Sequence, residues 1–194
     1  DNAPIFGMDR YQYQYISDNF PDTIEYSKDH IKIFTVDIEC ACENGFPDVE
    51  NPVEEILAVT VKNQSNKQII TWGTGEFKTD RSDVTYIRCK SEKSLIMEFM
   101  KFWIKNYPDI ITGWNTKFFD IPYLMNRICH IVDEKVIKRF SPWNLVERES
   151  IVVRGRPQTH YSIFGIVMLD YLDLYKKFIP VSYTHLRAHE TTNY

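Results

Sequence analysis

Phe34-Thr35-Val36-Asp37-Ile38-Glu39-Cys40 is the stretch on which the fold turns. It is rich in β-branched and aromatic residues, and side chains two apart in a strand share a face. Phe34, Val36 and Ile38 therefore project one way. Asp37 and Glu39 project the other way, beside Ile33 and Thr35. Two like charges side by side on an apolar strand repel, and they need a cation or a proton. A divalent metal bound by hard carboxylate oxygens supplies the cation. The competing reading is a solvent-exposed strand end with two ordinary acids, because Asp-x-Glu is short and common.

A second stretch, Ile110-Ile-Thr-Gly113-Trp114-Asn115-Thr-Lys-Phe118-Phe119-Asp120-Ile-Pro122-Tyr123-Leu124, reads as strand, glycine turn and helix. Ile121, Leu124, Met125, Ile128 and Val132 follow at helical spacing, and Pro122 suits a first turn. Asp120 at the helix start is a second candidate carboxylate or else an N-cap, and Asn115 is a candidate turn residue after Gly113.

Taken together, these motifs resemble the proofreading exonuclease domain of family B DNA polymerases, and most of all the replicative polymerases of large tailed bacteriophages. Asp37 and Glu39 match the first exonuclease motif; Asn115, Phe119 and Asp120 match the second. Asn44-Gly-Phe46-Pro47 and Leu169-Asp-Tyr-Leu-Asp-Leu-Tyr-Lys-Lys-Phe178 extend the likeness, which runs from about Tyr11 to Phe178. The resemblance implies an α/β, ribonuclease-H-like mixed sheet flanked by helices, truncated at its C-terminal side. It implies 3′→5′ removal of deoxynucleotides from single-stranded DNA ends in a parent DNA-directed DNA polymerase. Asp37, Glu39 and Asp120 would be the catalytic residues and the ligands of two Mg²⁺ or Mn²⁺ ions about 4 Å apart. Asp37 would bridge the ions. Phe46, Asn115, Phe119, Arg154 and Arg156 would contact DNA, with Phe46 stacking on terminal bases at ~1–3 kcal/mol per base.

The resemblance also implies what the chain lacks. The family's later Tyr-x-x-x-Asp motif would lie beyond Phe178, and no Asp-Thr-Asp polymerase triplet is present. The chain reads as an internal fragment, expected to be inactive alone. Two other classes of function compete: a non-catalytic DNA-binding or structural domain of this fold, and a stand-alone exonuclease. The expected partners are a single-stranded 3′ end or primer-template DNA and, for the parent, replisome proteins such as a sliding clamp. The expected location is the cytoplasm of an infected bacterial host.

Composition sets bounds on these readings. With 43% hydrophobic residues, 194 residues suit one cored domain plus flanks. A net charge of −4 argues against gripping duplex DNA by bulk charge, though not against holding a few nucleotides through metal and stacking. Cys40, Cys42, Cys89 and Cys129 show no zinc-type spacing and read as reduced. No apolar run reaches membrane-spanning length, so no membrane partner is expected.

Along the chain, residues 1–30 read as a connector or arm and 31–180 as the partial exonuclease domain. Strands are expected at Lys32–Cys40, Ile56–Lys62, Gln68–Trp72 and Val84–Arg88. A helix capped by Ser91 is expected to run to Pro108, with Leu95, Ile96, Phe99, Phe102 and Trp103 as its core stripe. Phe140–Ser150 reads as loop. Ile151–Val153 and Tyr161–Ile163 read as a hairpin (about 151–163) with a basic tip at Arg154–Gln158. At the matching position the family carries a hairpin that helps part the primer from its template. Asp170 and Asp173, three apart, read as structural or surface acids on one helical face. Residues 181–194 resemble a translated adapter remnant, expected to add nothing to the fold. His185 and His189 in that stretch lack a zincin glutamate.

Overall fold

A computed structural model describes residues 11–22, 27–153 and 155–178. Residues 181–194, Arg154 and the side chain of Arg156 lie outside that description, so the expectations for the tail and the hairpin tip do too. Chain contacts divide the protein into residues 1–30 and 31–194. In the first unit, α1 spans Tyr11–Asn19, and a single 3-10 turn follows at Lys28–His30.

In the second unit β1 (Ile33–Cys40) pairs antiparallel with β2 (Ile56–Asn63), which pairs antiparallel with β3 (Ile69–Gly73). The strand β4 (Val84–Arg88) lies parallel to β3. After helix α2 (Glu92–Asn106), β5 (Ile110–Gly113) returns parallel to β1. The chain then forms α3 (Asp120–Ile131), the short α4 (Glu134–Ile137), and a separate hairpin of β6 (Val146–Val153) and β7 (Arg156–Ile163). The strand β8 (Val167–Asp170) joins the edge parallel to β5, and α5 (Tyr171–Phe178) follows. The sheet order is β4-β3-β2-β1-β5-β8, the expected mixed sheet with helices packed on it.

Strand parity works as the sequence requires. Phe34, Val36 and Ile38 are buried under α2 and α3, whose Leu95, Ile96, Phe99, Trp103, Ile121, Leu124, Met125 and Ile128 complete one core. The aromatic stripe of α2 is therefore core. Ser91 caps α2 by accepting from the Ser94 amide, while the Ser94 hydroxyl accepts from the Ser91 amide. Trp103 donates its indole N–H to the Phe140 carbonyl at 3.0 Å, so its burial leaves no orphan donor.

A buried ion pair ties the helices to the loop before β2. Arg127 of α3 donates twice to Glu92 of α2, at 2.7 Å each, and also to the carbonyls of Pro52 and Val53. Glu92 accepts in addition from the Ile56 amide. The second set of bonds matters, because a buried pair is stable only when its remaining donors and acceptors are satisfied.

Two sequence expectations need correction. The hairpin is longer than 151–163: β6 begins at Val146, inside the segment read as loop, and Val146 faces Ile163. Glu147, Arg148 and Glu149 hid the strand, because its charged residues interrupt the apolar alternation. Asp170 and Asp173 do not share a helix face, since Asp170 closes β8 and Asp173 lies in the first turn of α5. Asp170 is buried, in keeping with the structural alternative of its reading, and Asp173 is exposed.

Candidate active site at the open end of strand β1

Strand β1 outruns its neighbour. Pairing with β5 covers only Ile33–Thr35, and β5 stops at Gly113. Past that point the β5-side edge of β1 is unpaired by any strand, and buried backbone groups there need partners. The turn after Gly113 supplies them. Thr116 donates its hydroxyl to the Val36 carbonyl at 3.4 Å, and the Asp120 carboxylate accepts from the Ile38 amide at 3.0 Å. Asp120 therefore lies at the sheet edge beside the backbone that carries Asp37, and not across the sheet from it.

The turn is built for this placement. Asn115 adopts φ +61°, a left-handed conformation asparagine tolerates. Its carbonyl accepts from the Phe118 and Phe119 amides at 3.1 and 2.9 Å. A Cβ on Gly113 would collide with the Thr116 hydroxyl and come within 2.9 Å of the Val36 carbonyl, so glycine alone fits. Asp170 clamps the turn from β8, accepting from the amides of Asn115 at 3.0 Å, Lys117 at 2.9 Å and Leu172 at 2.8 Å. Phe119, not Asp120, occupies the N-cap position, and no side chain caps α3 there. The capping reading of Asp120 gives way because its carboxylate serves the sheet edge instead.

Asp37 and Glu39 are exposed on the strand face away from the helices, and a register shift follows Glu39. The acids disturb one another. Burial and then the Asp37 charge raise Glu39; burial raises Asp37. Burial pushes Asp120 to about 7, against the Ile38 amide bond that lowers it, and the Asp37 and Asp170 charges add to the rise. No Lys or Arg ion-pairs with these three acids among the described residues. Among the described residues, too, no three His, Cys, Asp or Glu side chains form a group that could hold a metal. Carboxylate oxygens without a basic partner are the donor type a hard divalent cation takes, although these three are not gathered around one point. Burial, with Asp120 and Glu39 nearby, pushes the Cys40 thiol to about 12, so it stays protonated at neutral pH.

Phe46 is 75% exposed, which excludes a core role. Its ring lies 5.4 Å from Phe119, which stacks on the buried Tyr123. Phe46 and Phe119 line a groove of about 430 Å³ with Ile38, Glu39, Cys40, Cys42, Gly45 and Pro47. The loop carrying Phe46 is closed at its base by Asn44, which donates its amide and side-chain N–H to Glu54 at 2.9 Å each. Sequence reasoning placed Asp37 and Glu39 on one strand face and Asp120 at a helix start; the structure sets Phe46 and Phe119 beside Glu39 and bonds Asp120 to the same strand. It missed the edge role of Thr116 and the clamp by Asp170, neither of which has a local signal.

A profile of the family described as DNA polymerase family B, exonuclease domain, matches residues 7–188. The chain belongs to that family. It is 32% identical over 197 residues to the DNA-directed DNA polymerase of Escherichia phage RB69, covering 89% of this chain and 22% of that protein. It is 33% identical over the same length and shares to the DNA-directed DNA polymerase of Enterobacteria phage T4. It is also similar to the DNA polymerase delta catalytic subunit of Dictyostelium discoideum, 31% identical over 81% of this chain and 15% of the relative. The chain thus spans about a fifth of the length of the phage relatives it matches. Among the described residues no helix is long and apolar enough to cross a membrane.

Proposed function

We propose that the chain is the 3′→5′ proofreading portion of a DNA-directed DNA polymerase that replicates phage DNA in an infected bacterium. The observation that carries this reading is the Asp120–Ile38 bond, which seats a buried carboxylate beside the strand bearing Asp37 and Glu39. Asp37, Glu39 and Asp120 would hold Mg²⁺ or Mn²⁺, and bound metal would activate the attacking water and stabilise the leaving 3′ oxygen. Asn115 sets the turn that delivers Asp120. Phe46 and Phe119 offer an aromatic wall beside Glu39 for unstacked bases, a contact indifferent to sequence. Arg154 and Arg156, read from the sequence as part of a basic tip, would meet primer-template DNA. A sliding clamp is the expected replisome partner of the whole polymerase.

The test is release of deoxynucleoside monophosphates from single-stranded 3′ ends by the full-length polymerase. Asp37→Ala and Asp120→Ala should each lower that rate by several orders of magnitude, with polymerisation retained. Excision at the unaltered rate in both variants would refute the assignment. Phe46→Ala should weaken single-strand binding by ~1–3 kcal/mol.

A further inference from the structure

A second feature beside the carboxylate rim has no part in the chemistry above. Lys117 sits three residues before Asp120, and the Asp170 clamp holds its backbone amide, so the root of its side chain is fixed. Its ammonium lies over the Phe118 ring, 5.2 Å from the centroid. The Phe118 ring in turn lies 6.4 Å from the imidazole of His160 on β7. Lys117, His160, Ser162 and Phe164 line a pocket of about 380 Å³ between the turn and the hairpin. Lys117 is half-buried and has no carboxylate partner among the described residues. The neighbouring acid is already engaged: Glu149 accepts from the Ser162 hydroxyl at 2.7 Å and lies 4.0 Å from His160. Burial and then the Lys117 charge lower His160, which keeps the imidazole neutral and leaves Lys117 the positive group of the pocket.

A lysine anchored at its backbone, lining a mixed polar and apolar pocket with no carboxylate beside its ammonium among the described residues, in a chain of net charge −4, is a point where an anion is favoured. We infer that Lys117 binds a backbone phosphate of the single strand between the carboxylate rim and the hairpin, with His160 and Ser162 as the pocket's opposite wall. This rests on the proposed nuclease reading. Lys117 lies three residues before Asp120 on the same turn, so a strand whose 3′ end meets Asp120 passes within reach of it if it runs toward the hairpin. The contact holds the strand in place and takes no part in bond cleavage.

The experiment is fluorescence anisotropy of a short labelled oligothymidylate on this chain, with Ca²⁺ as the divalent ion, across a range of salt. Losing one phosphate contact on a single strand should make the slope of log K against log salt shallower by about 0.7. Lys117→Ala should show that change and bind about fivefold more weakly, and Lys117→Arg should restore both. Melting of each variant reports folding separately. If the unsubstituted chain shows no saturable binding while the full-length polymerase excises 3′ ends, only this inference falls; if the full-length polymerase does not excise either, the nuclease reading fails with it. If it binds and Lys117→Ala, folded, leaves slope and affinity unchanged, Lys117 is a solvated lysine and only this inference falls.

Discussion

The carboxylate of Asp120 accepts a hydrogen bond from the backbone amide of Ile38 at 3.0 Å, across 82 residues of sequence. One bond thereby closes the open edge of β1 and fixes an acid next to Asp37. Because the acid is structural and, by proposal, catalytic, substitutions at Asp120 separate the two roles. Asparagine keeps an acceptor for the amide and loses the charge.

Stability without metal should depend on pH through Asp120. Its folded pKa, about 7, lies above its ordinary 3.8, so the folded state holds the proton more tightly. The stabilisation is fully present below about pH 4 and is lost as pH rises through 7. Asp37 and Glu39 are raised too and act with the same sign. In EDTA the denaturation midpoint should fall between pH 5 and pH 8, with Asp120 contributing on the order of a few kcal/mol. Asp120→Asn should flatten most of that fall; an equal fall in the variant would show that another group titrates.

Divalent metal should act against the same repulsion. At pH 8, Mn²⁺ should raise the melting temperature by mass action on the folded state. Asp37→Ala should lower the gain sharply. A gain that survives both Asp37→Ala and Asp120→Asn would place the ion elsewhere.

Gly113→Ala tests the turn. The added Cβ meets the Thr116 hydroxyl and the Val36 carbonyl, and the backbone carbonyl cannot swing away. A cost of about 1–3 kcal/mol is expected from overpacking. Excision by the full-length polymerase should fall further than polymerisation, because the displaced turn carries Asp120. Wild-type denaturation by urea in the variant would show that the turn yields freely.

The Glu92–Arg127 pair should respond asymmetrically. Both side chains are about nine-tenths buried. Arg127→Ala should cost about 3–5 kcal/mol, since it strands the Glu92 charge and the Pro52 and Val53 carbonyls. Arg127→Met with Glu92→Leu should cost less than Arg127→Ala alone. Urea midpoints at unchanged slope are the measurement, and additive costs would mean the pair is not coupled.

Much of the architecture was legible in residue order. Strand β1, the Ser91 cap and the core stripes of α2 and α3 are local patterns, because alternation and helical spacing repeat within a few residues. The lower half of the hairpin was not legible, since Glu147, Arg148 and Glu149 interrupt its alternation. Nor was β8, which is four residues long and places Val167 and Leu169 on an exposed face.

The sequence by itself determined which acids could meet. Parity put Asp37 and Glu39 on one face, and the helix start put Asp120 near a strand end. Only the tertiary structure decided how Asp120 reaches the strand that carries the other two. β5 stops short of the end of β1, Thr116 and Asp120 fill the gap, and Asp170 holds the filling turn from the far edge of the sheet. Those relationships span 53 to 82 residues. No local pattern encodes them, because each is the partner a buried amide or carbonyl takes once neighbouring strands differ in length.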